Sequence, residues 1–288
     1  MPARLRRSAA TASATATTRA TAVAMVMSVV MAMATIALLA GAPTAVAATP
    51  QPVVYAALGD SFSAGVGTGR YDLGGGPCLR RSLAYPQLWA LGHQVRSLTF
   101  LACSGARTSQ VRAQQVPHVP RDADLVTVTT GGNDIGFSPV LGTCTLAVKD
   151  STCTVAVRLA EVAAATLVPV QLATTLVAIR RAAPHARIVV LGYPRLFEPG
   201  PCRAGVPDAA RRKAINDGTD LLNGVLARTS QVLKARFVDV RDRFAGHGVC
   251  APAGQEWING PGNGAESYHP TATGQQQGLL PALTSVTG

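Results

Sequence analysis

The feature that most limits how this chain can fold is a set of five short apolar runs, each closed by a polar or glycine-rich turn. They are Val53–Leu58, Ser97–Ala102, Leu125–Thr130, Ile188–Leu191 and Phe237–Val240. Runs of this length, rich in β-branched and large apolar residues, are expected of strands buried on both faces of a parallel sheet. Helical stretches separate them. Val155–Ala183 is Ala-rich, repeats its apolar positions at helical spacing and is stopped by Pro184. Pro207–Lys234 is the second, with Asp208 placed to cap its start and Ile215, Leu222 and Leu226 on one side. Strands alternating with helices predict a doubly wound α/β domain whose reactive groups stand on loops at the carboxyl ends of the strands. Gly69–Pro77 and Gly246–Gly264, rich in Gly and Pro, read as long surface loops near that end.

The first 48 of the 288 residues contain no Asp or Glu and read differently. Arg4, Arg6, Arg7 and Arg19 form a positive region, Ala22–Ala40 is an apolar run, and Ala45-Val46-Ala47 is a small-residue cleavage pattern. Residues 1–47 are therefore expected to be a secretory signal peptide cut after Ala47, and residues 48–288 a single catalytic-size domain. An uncleaved membrane anchor is the competing reading of the apolar run; the small-residue site just beyond it favours removal. Of the formal charge of +11, four units belong to these arginines, leaving +7 on residues 48–288. The remaining arginines are scattered without aromatic interleaving, so no nucleic-acid partner is expected. A solvated basic surface is the favoured account of them, with transient attraction to anionic lipid or cell-wall surfaces the alternative.

All six cysteines, Cys78, Cys103, Cys144, Cys153, Cys202 and Cys250, follow the expected cleavage point. An even count in an exported chain predicts disulfides. Six cysteines allow 15 pairings, of which pairing in chain order is the simplest because each bridge staples one loop. The sequence has no Cys-x-x-Cys and no paired-His spacing, so no metal site is expected.

Four blocks carry chemistry. The first run delivers Gly59-Asp60-Ser61-Phe62-Ser63-Ala64-Gly65, the second Ala102-Cys103-Ser104-Gly105-Ala106, and the third Gly131-Gly132-Asn133-Asp134-Ile135-Gly136; the last loop contains Glu266-Ser267-Tyr268-His269-Pro270. Singly, Ser61 reads as a helix cap, Gly105 as a turn residue and Asn133 as a loop cap. Together, in this order, they closely resemble the SGNH superfamily of GDSL-type esterases and lipases, in particular the secreted actinomycete lipases with three disulfides. The family's serine falls on Ser61, its glycine on Gly105, its asparagine on Asn133 and its histidine on His269. The resemblance implies a flavodoxin-like three-layer α/β/α sandwich with a five-stranded parallel sheet, in-order disulfide pairing and a monomer.

The chemistry follows from the residue types. A serine hydroxyl becomes a competent nucleophile only when an adjacent base takes its proton, and His269 is the candidate base. The backbone N–H groups of Ser61 and Gly105 and the side-chain amide of Asn133 are the candidate oxyanion hole. Glu266, three residues before His269, stands where many relatives place an orienting aspartate; a main-chain carbonyl near Ser267 is the alternative. Asp60 and Asp134 read as loop braces, Arg107 as a locally paired or solvated side chain, and His93, His118, His185 and His247 as surface residues. The sequence thus predicts a secreted serine esterase or lipase acting on lipid or small ester substrates through a Ser61 acyl-enzyme, without cofactor or metal. A phospholipase, an acetyl-sugar esterase or an acyltransferase would share this core, and a noncatalytic lipid- or wall-binding protein would share the fold.

Overall fold

The computed structural model describes residues 51–69, 71 and 76–288. The expected signal segment and most of the Gly69–Pro77 loop lie outside them. The strands are β1 (Val53–Gly59), β2 (Val95–Phe100), β3 (Leu125–Thr129), β4 (Arg187–Leu191) and β5 (Arg236–Val238). They form one sheet in the order β2-β1-β3-β4-β5, every pair parallel. That is the flavodoxin-like order, in which the switch point at the carboxyl ends of β1 and β3 creates a crevice. Successive residues of β1 alternate between two cores: Val54, Ala56 and Leu58 pack on one face of the sheet, Tyr55 and Ala57 on the other.

Two differences from the expected elements have physical causes. β2 begins and ends two residues early. It is an edge strand paired only with β1, and Arg96 and Ser97 are exposed, so its burial pattern is weak. The long helix expected over 155–183 is two helices, Asp150–Thr166 and Val168–Ala182, bent by 43°. Pro169 forces the break, since it has no N–H to donate and its ring crowds the preceding turn. In chain order the α-helices longer than three residues are α1 (Ser61–Ala64), α2 (Tyr85–Gly92), α3 (Phe137–Leu146), α4 (Asp150–Thr166), α5 (Val168–Ala182), α6 (Ala209–Val232) and α7 (Leu280–Thr287). On α6 the Asp208 side chain accepts from Arg211 N–H, and Ile215, Leu222 and Leu226 are buried.

Disulfides join Cys78 to Cys103, Cys144 to Cys153 and Cys202 to Cys250. The first ties the segment before α2 to the loop after β2, which carries Gly105; the second clips α3 to α4; the third braces the loop before α6. Closing loops separated by 25 and 48 residues restricts the unfolded chain by about 3–4 kcal/mol each.

Candidate active site

The carboxyl end of β1 places Ser61. Gly59 has φ +127°, and a Cβ there would lie 2.4 Å from Thr129 O, so only glycine lets β1 run this close to β3 as it leaves the sheet. Asp60 then caps α1, accepting from Phe62 N–H at 3.0 Å. Ser61 is the first residue of that helix. Gln115 holds the turn from beneath, donating to Gly59 O and accepting from Gly59 N–H.

The loop between β5 and α7 brings His269. Its backbone is pinned by hydrogen bonds from Asn259 N–H to His269 O and from Tyr268 N–H to Asn259 O, each 2.9 Å. Tyr268 sits at φ +62°, a conformation costly for a non-glycine residue, and its hydroxyl pairs with that of Thr145 on α3 at 3.1 Å. Across 208 residues of sequence, His269 Nε2 lies 2.8 Å from Ser61 Oγ. His269 Nδ1 lies 2.9 Å from Ser267 O. A carbonyl can only accept, so Nδ1 carries the hydrogen and Nε2 presents its lone pair to the Ser61 hydroxyl.

Both imidazole nitrogens are thus engaged, and the carboxylate of Glu266 bonds to neither. Main-chain geometry orients the ring, with Glu266 contributing its carbonyl oxygen to His269 N–H and a charge that favours the protonated ring. Accordingly Glu266→Gln is expected to retain kcat/KM within about threefold, because the Nδ1 bond is untouched. A loss of more than tenfold in steady-state assays would return the orienting role to the carboxylate.

Burial holds the His269 imidazole down to about 4, opposed by the Ser267 carbonyl and the charge of Glu266. The Phe62 and Phe137 rings stand 5.3 and 6.0 Å from it and keep water away. A base must be neutral to accept a proton, and a ring held down to about 4 stays neutral until pH falls to that range. The acid limb of kcat/KM on a soluble ester is therefore expected near that value, with a plateau through neutrality. A limb centred at 6.5, the ordinary histidine value, would contradict the dry setting of the ring.

The candidate oxyanion donors follow β1, β2 and β3 in turn. Gly105 has φ +76°, and a Cβ built on it meets nothing within 4 Å, so the backbone is both conformationally special and open to a guest. Among the described residues no protein acceptor faces the N–H of Ser61 or Gly105. The Asn133 side-chain amide donates one hydrogen to Ala106 O at 3.1 Å, which aims it beside the Gly105 loop and leaves its second hydrogen for a ligand. Asp134 braces the same two loops, accepting from Thr108 N–H and Oγ1 at 2.9 and 2.8 Å. Arg107, His118 and His185 are exposed, whereas His93 and His247, expected at the surface, are half-buried because their rings stack on Trp89 and Trp257.

One residue of this region carries no sequence signal. Tyr193, just after β4, donates its hydroxyl hydrogen to Asp60 Oδ2 at 2.5 Å and accepts from Gly132 N–H at 3.0 Å. It thereby ties the nucleophile turn to the Asn133 loop. Burial raises the Asp60 carboxyl to about 7, against the hydrogen bond from Tyr193, which lowers it.

A serine hydroxyl against the free nitrogen of an imidazole held by the backbone is the geometry that acyl transfer needs of a nucleophile and its base. The GDSL-like Lipase/Acylhydrolase family model matches residues 57–277, which includes all four motif blocks. The chain belongs to this family. Similar proteins include a lipase of Streptomyces rimosus, 42% identical over 99% of this chain and 100% of that one. Lipase 1 of Streptomyces coelicolor is 41% identical over 86% of this chain and 92% of its own. Among solved structures, the extracellular lipase of S. rimosus has TM-score 0.77, covering 81% of this chain and 99% of that one. Phospholipase A1 of Streptomyces albidoflavus, 39% identical, has TM-score 0.78 with the same coverage. As a GDSL-family acylhydrolase the chain is a carboxylic ester hydrolase.

Proposed function

We propose that this enzyme is an exported lipase or esterase that hydrolyses fatty-acyl esters through an acyl-enzyme on Ser61. The observation that carries the assignment of roles is the 2.8 Å approach of His269 Nε2 to Ser61 Oγ, with Nδ1 bonded to a carbonyl. Ser61 Oγ attacks the ester carbonyl carbon while its proton passes to Nε2. The N–H groups of Ser61, Gly105 and Asn133 Nδ2 receive the oxyanion. The tetrahedral intermediate collapses, the alkoxide leaving with the proton from His269. Water, deprotonated by the same nitrogen, then attacks the acyl carbon, and Ser61 is released with the carboxylic acid.

Lipid esters are the favoured substrates on the strength of relatives named as lipases and a phospholipase A1, and export is supported by an extracellular relative and three disulfides. A fluorophosphonate probe tests the core of this reading. The folded enzyme is expected to be labelled stoichiometrically and the Ser61→Ala variant not at all. An unlabelled wild type would instead favour a lipid-binding protein on the same fold.

A further inference from the structure

Tyr193 touches the residues on both sides of the nucleophile. Its hydroxyl donates to Asp60 Oδ2 at 2.5 Å, and its ring meets Phe62 edge to face with centroids 5.1 Å apart. The same hydroxyl accepts from Gly132 N–H at 3.0 Å, one residue before Asn133. The Gly132 backbone lies against the ring, since a Cβ built there would fall 3.2 Å from Tyr193 Cζ. Past the end of the sheet, where Asp60 N–H donates to Thr129 O at 2.9 Å, this side chain carries the link from the Ser61 turn to the Asn133 loop. The Gly105 segment is joined to the same turn by Cys103 N–H donating to Gly59 O at 3.0 Å, and to the Asn133 loop through Asp134 and Thr108. Tyr193 is itself fixed from α6. Its N–H donates to Asn223 Oδ1 at 2.9 Å, and its carbonyl accepts from Asn223 Nδ2 at 2.8 Å. Gly192 admits that buried side chain, because a Cβ there would lie 2.5 Å from Asn223 Oδ1.

Resting on the hydrolase reading above, we propose that Tyr193 is a positioning residue for acyl transfer, setting the separation between the Ser61 N–H and the Asn133 amide that receive the oxyanion. It is not itself a donor to substrate. A phenol has one hydrogen, and here Asp60 takes it. What the residue supplies is rigidity: in a buried site, a hydroxyl engaged as both donor and acceptor holds its two partners at a fixed spacing. Oxyanion donors act by being in place before charge develops, and a misplacement of about 1 Å costs on the order of a hundredfold in rate. The ground-state carbonyl asks less of the same donors, so loss of the brace falls on kcat and spares KM.

Tyr193→Phe tests this, because it keeps the ring against Phe62 and Gly132 and removes both hydrogen bonds of the hydroxyl. Turnover of p-nitrophenyl butyrate is measured per fluorophosphonate-titrated site, together with the Ki of hexyl trifluoromethyl ketone. The carbonyl carbon of that ketone takes Ser61 Oγ while the serine proton passes to His269, which leaves an oxyanion on the ketone oxygen. The variant is expected to lose about tenfold to a hundredfold in kcat with KM within about twofold, and Ki is expected to rise by about the factor by which kcat/KM falls. Asp60→Asn has the same shape and keeps an oxygen for Phe62 N–H, but takes away the acceptor of the Tyr193 hydrogen. It is expected to move kcat and Ki together in the same direction, and it decides the matter if circular dichroism shows that Tyr193→Phe does not fold. Variants that melt earlier yet keep wild-type kcat and Ki per titrated site would make Tyr193 a stabilising residue alone and overturn the proposal. A wild type that takes neither the probe nor the ketone would overturn the hydrolase reading itself, and the role of Tyr193 with it.

Discussion

Replacing His269 by alanine is expected to lower kcat by roughly four to six orders of magnitude while leaving the fold and KM nearly unchanged. The size of the effect follows from what the ring does twice. It removes the Ser61 proton as the acyl-enzyme forms, and it activates water as the acyl-enzyme breaks down, so no later step compensates for its loss. Its environment strengthens the dependence. A ring kept neutral by burial, with its tautomer fixed by Ser267 O, meets the Ser61 hydroxyl with no reorganisation when substrate arrives. Ser61→Ala is expected to lose about as much, and the double variant no more than either single one, because the two residues act as a unit. Single-turnover and steady-state assays, with circular dichroism as the control for folding, decide the matter. A His269→Ala enzyme retaining a tenth of wild-type kcat would mean that another base serves Ser61.

How much of this was legible in the sequence depends on whether a feature is written in residue type or in three-dimensional neighbourhood. β1 and β3, buried on both faces, fall within a residue of the apolar runs that predict them, while the edge strand β2 slips by two because one partner and a half-exposed face leave a faint pattern. α2 and α7 have only eight residues each and carry proline in the first turn, too little for a 3.6-residue period to stand out. The break between α4 and α5 was written in Pro169 but masked by the alanines around it. The meeting of Ser61 with His269 was legible because serine and histidine in such motif blocks are chemically conspicuous.

What was left open or missed is backbone or long-range. Ser267 meets the base through its carbonyl, which every residue type possesses, so residue types left it level with the carboxylate of Glu266. Tyr193 lies 133 residues from Asp60 and 61 from Gly132, and only the placement of β4 beside β3 brings its hydroxyl between them. Sequence thus exposed the candidate reacting groups, while the parts that hold them emerged from packing.

Asn133→Ala carries the second large effect, an expected fall of about 10²- to 10³-fold in kcat with KM changed little. The reasoning rests on when the interaction is made. A ground-state carbonyl is a modest acceptor, whereas the tetrahedral intermediate places a full negative charge where the Asn133 amide and the Ser61 and Gly105 N–H groups converge, so removing one donor raises the transition state more than the bound substrate. Asn133 also spends one hydrogen on Ala106 O, and a brace of that kind alone would change KM and thermal stability together. Asn133→Asp separates the roles. Its carboxylate is nearly the same shape but cannot donate when ionised, and its charge repels the oxyanion, so at neutral pH it is expected to be at least as poor as the alanine variant. Steady-state kinetics of both variants, with thermal melts alongside, make the comparison; an Asn133→Ala enzyme whose loss lay in KM and melting temperature with kcat preserved would remove Asn133 from the oxyanion hole.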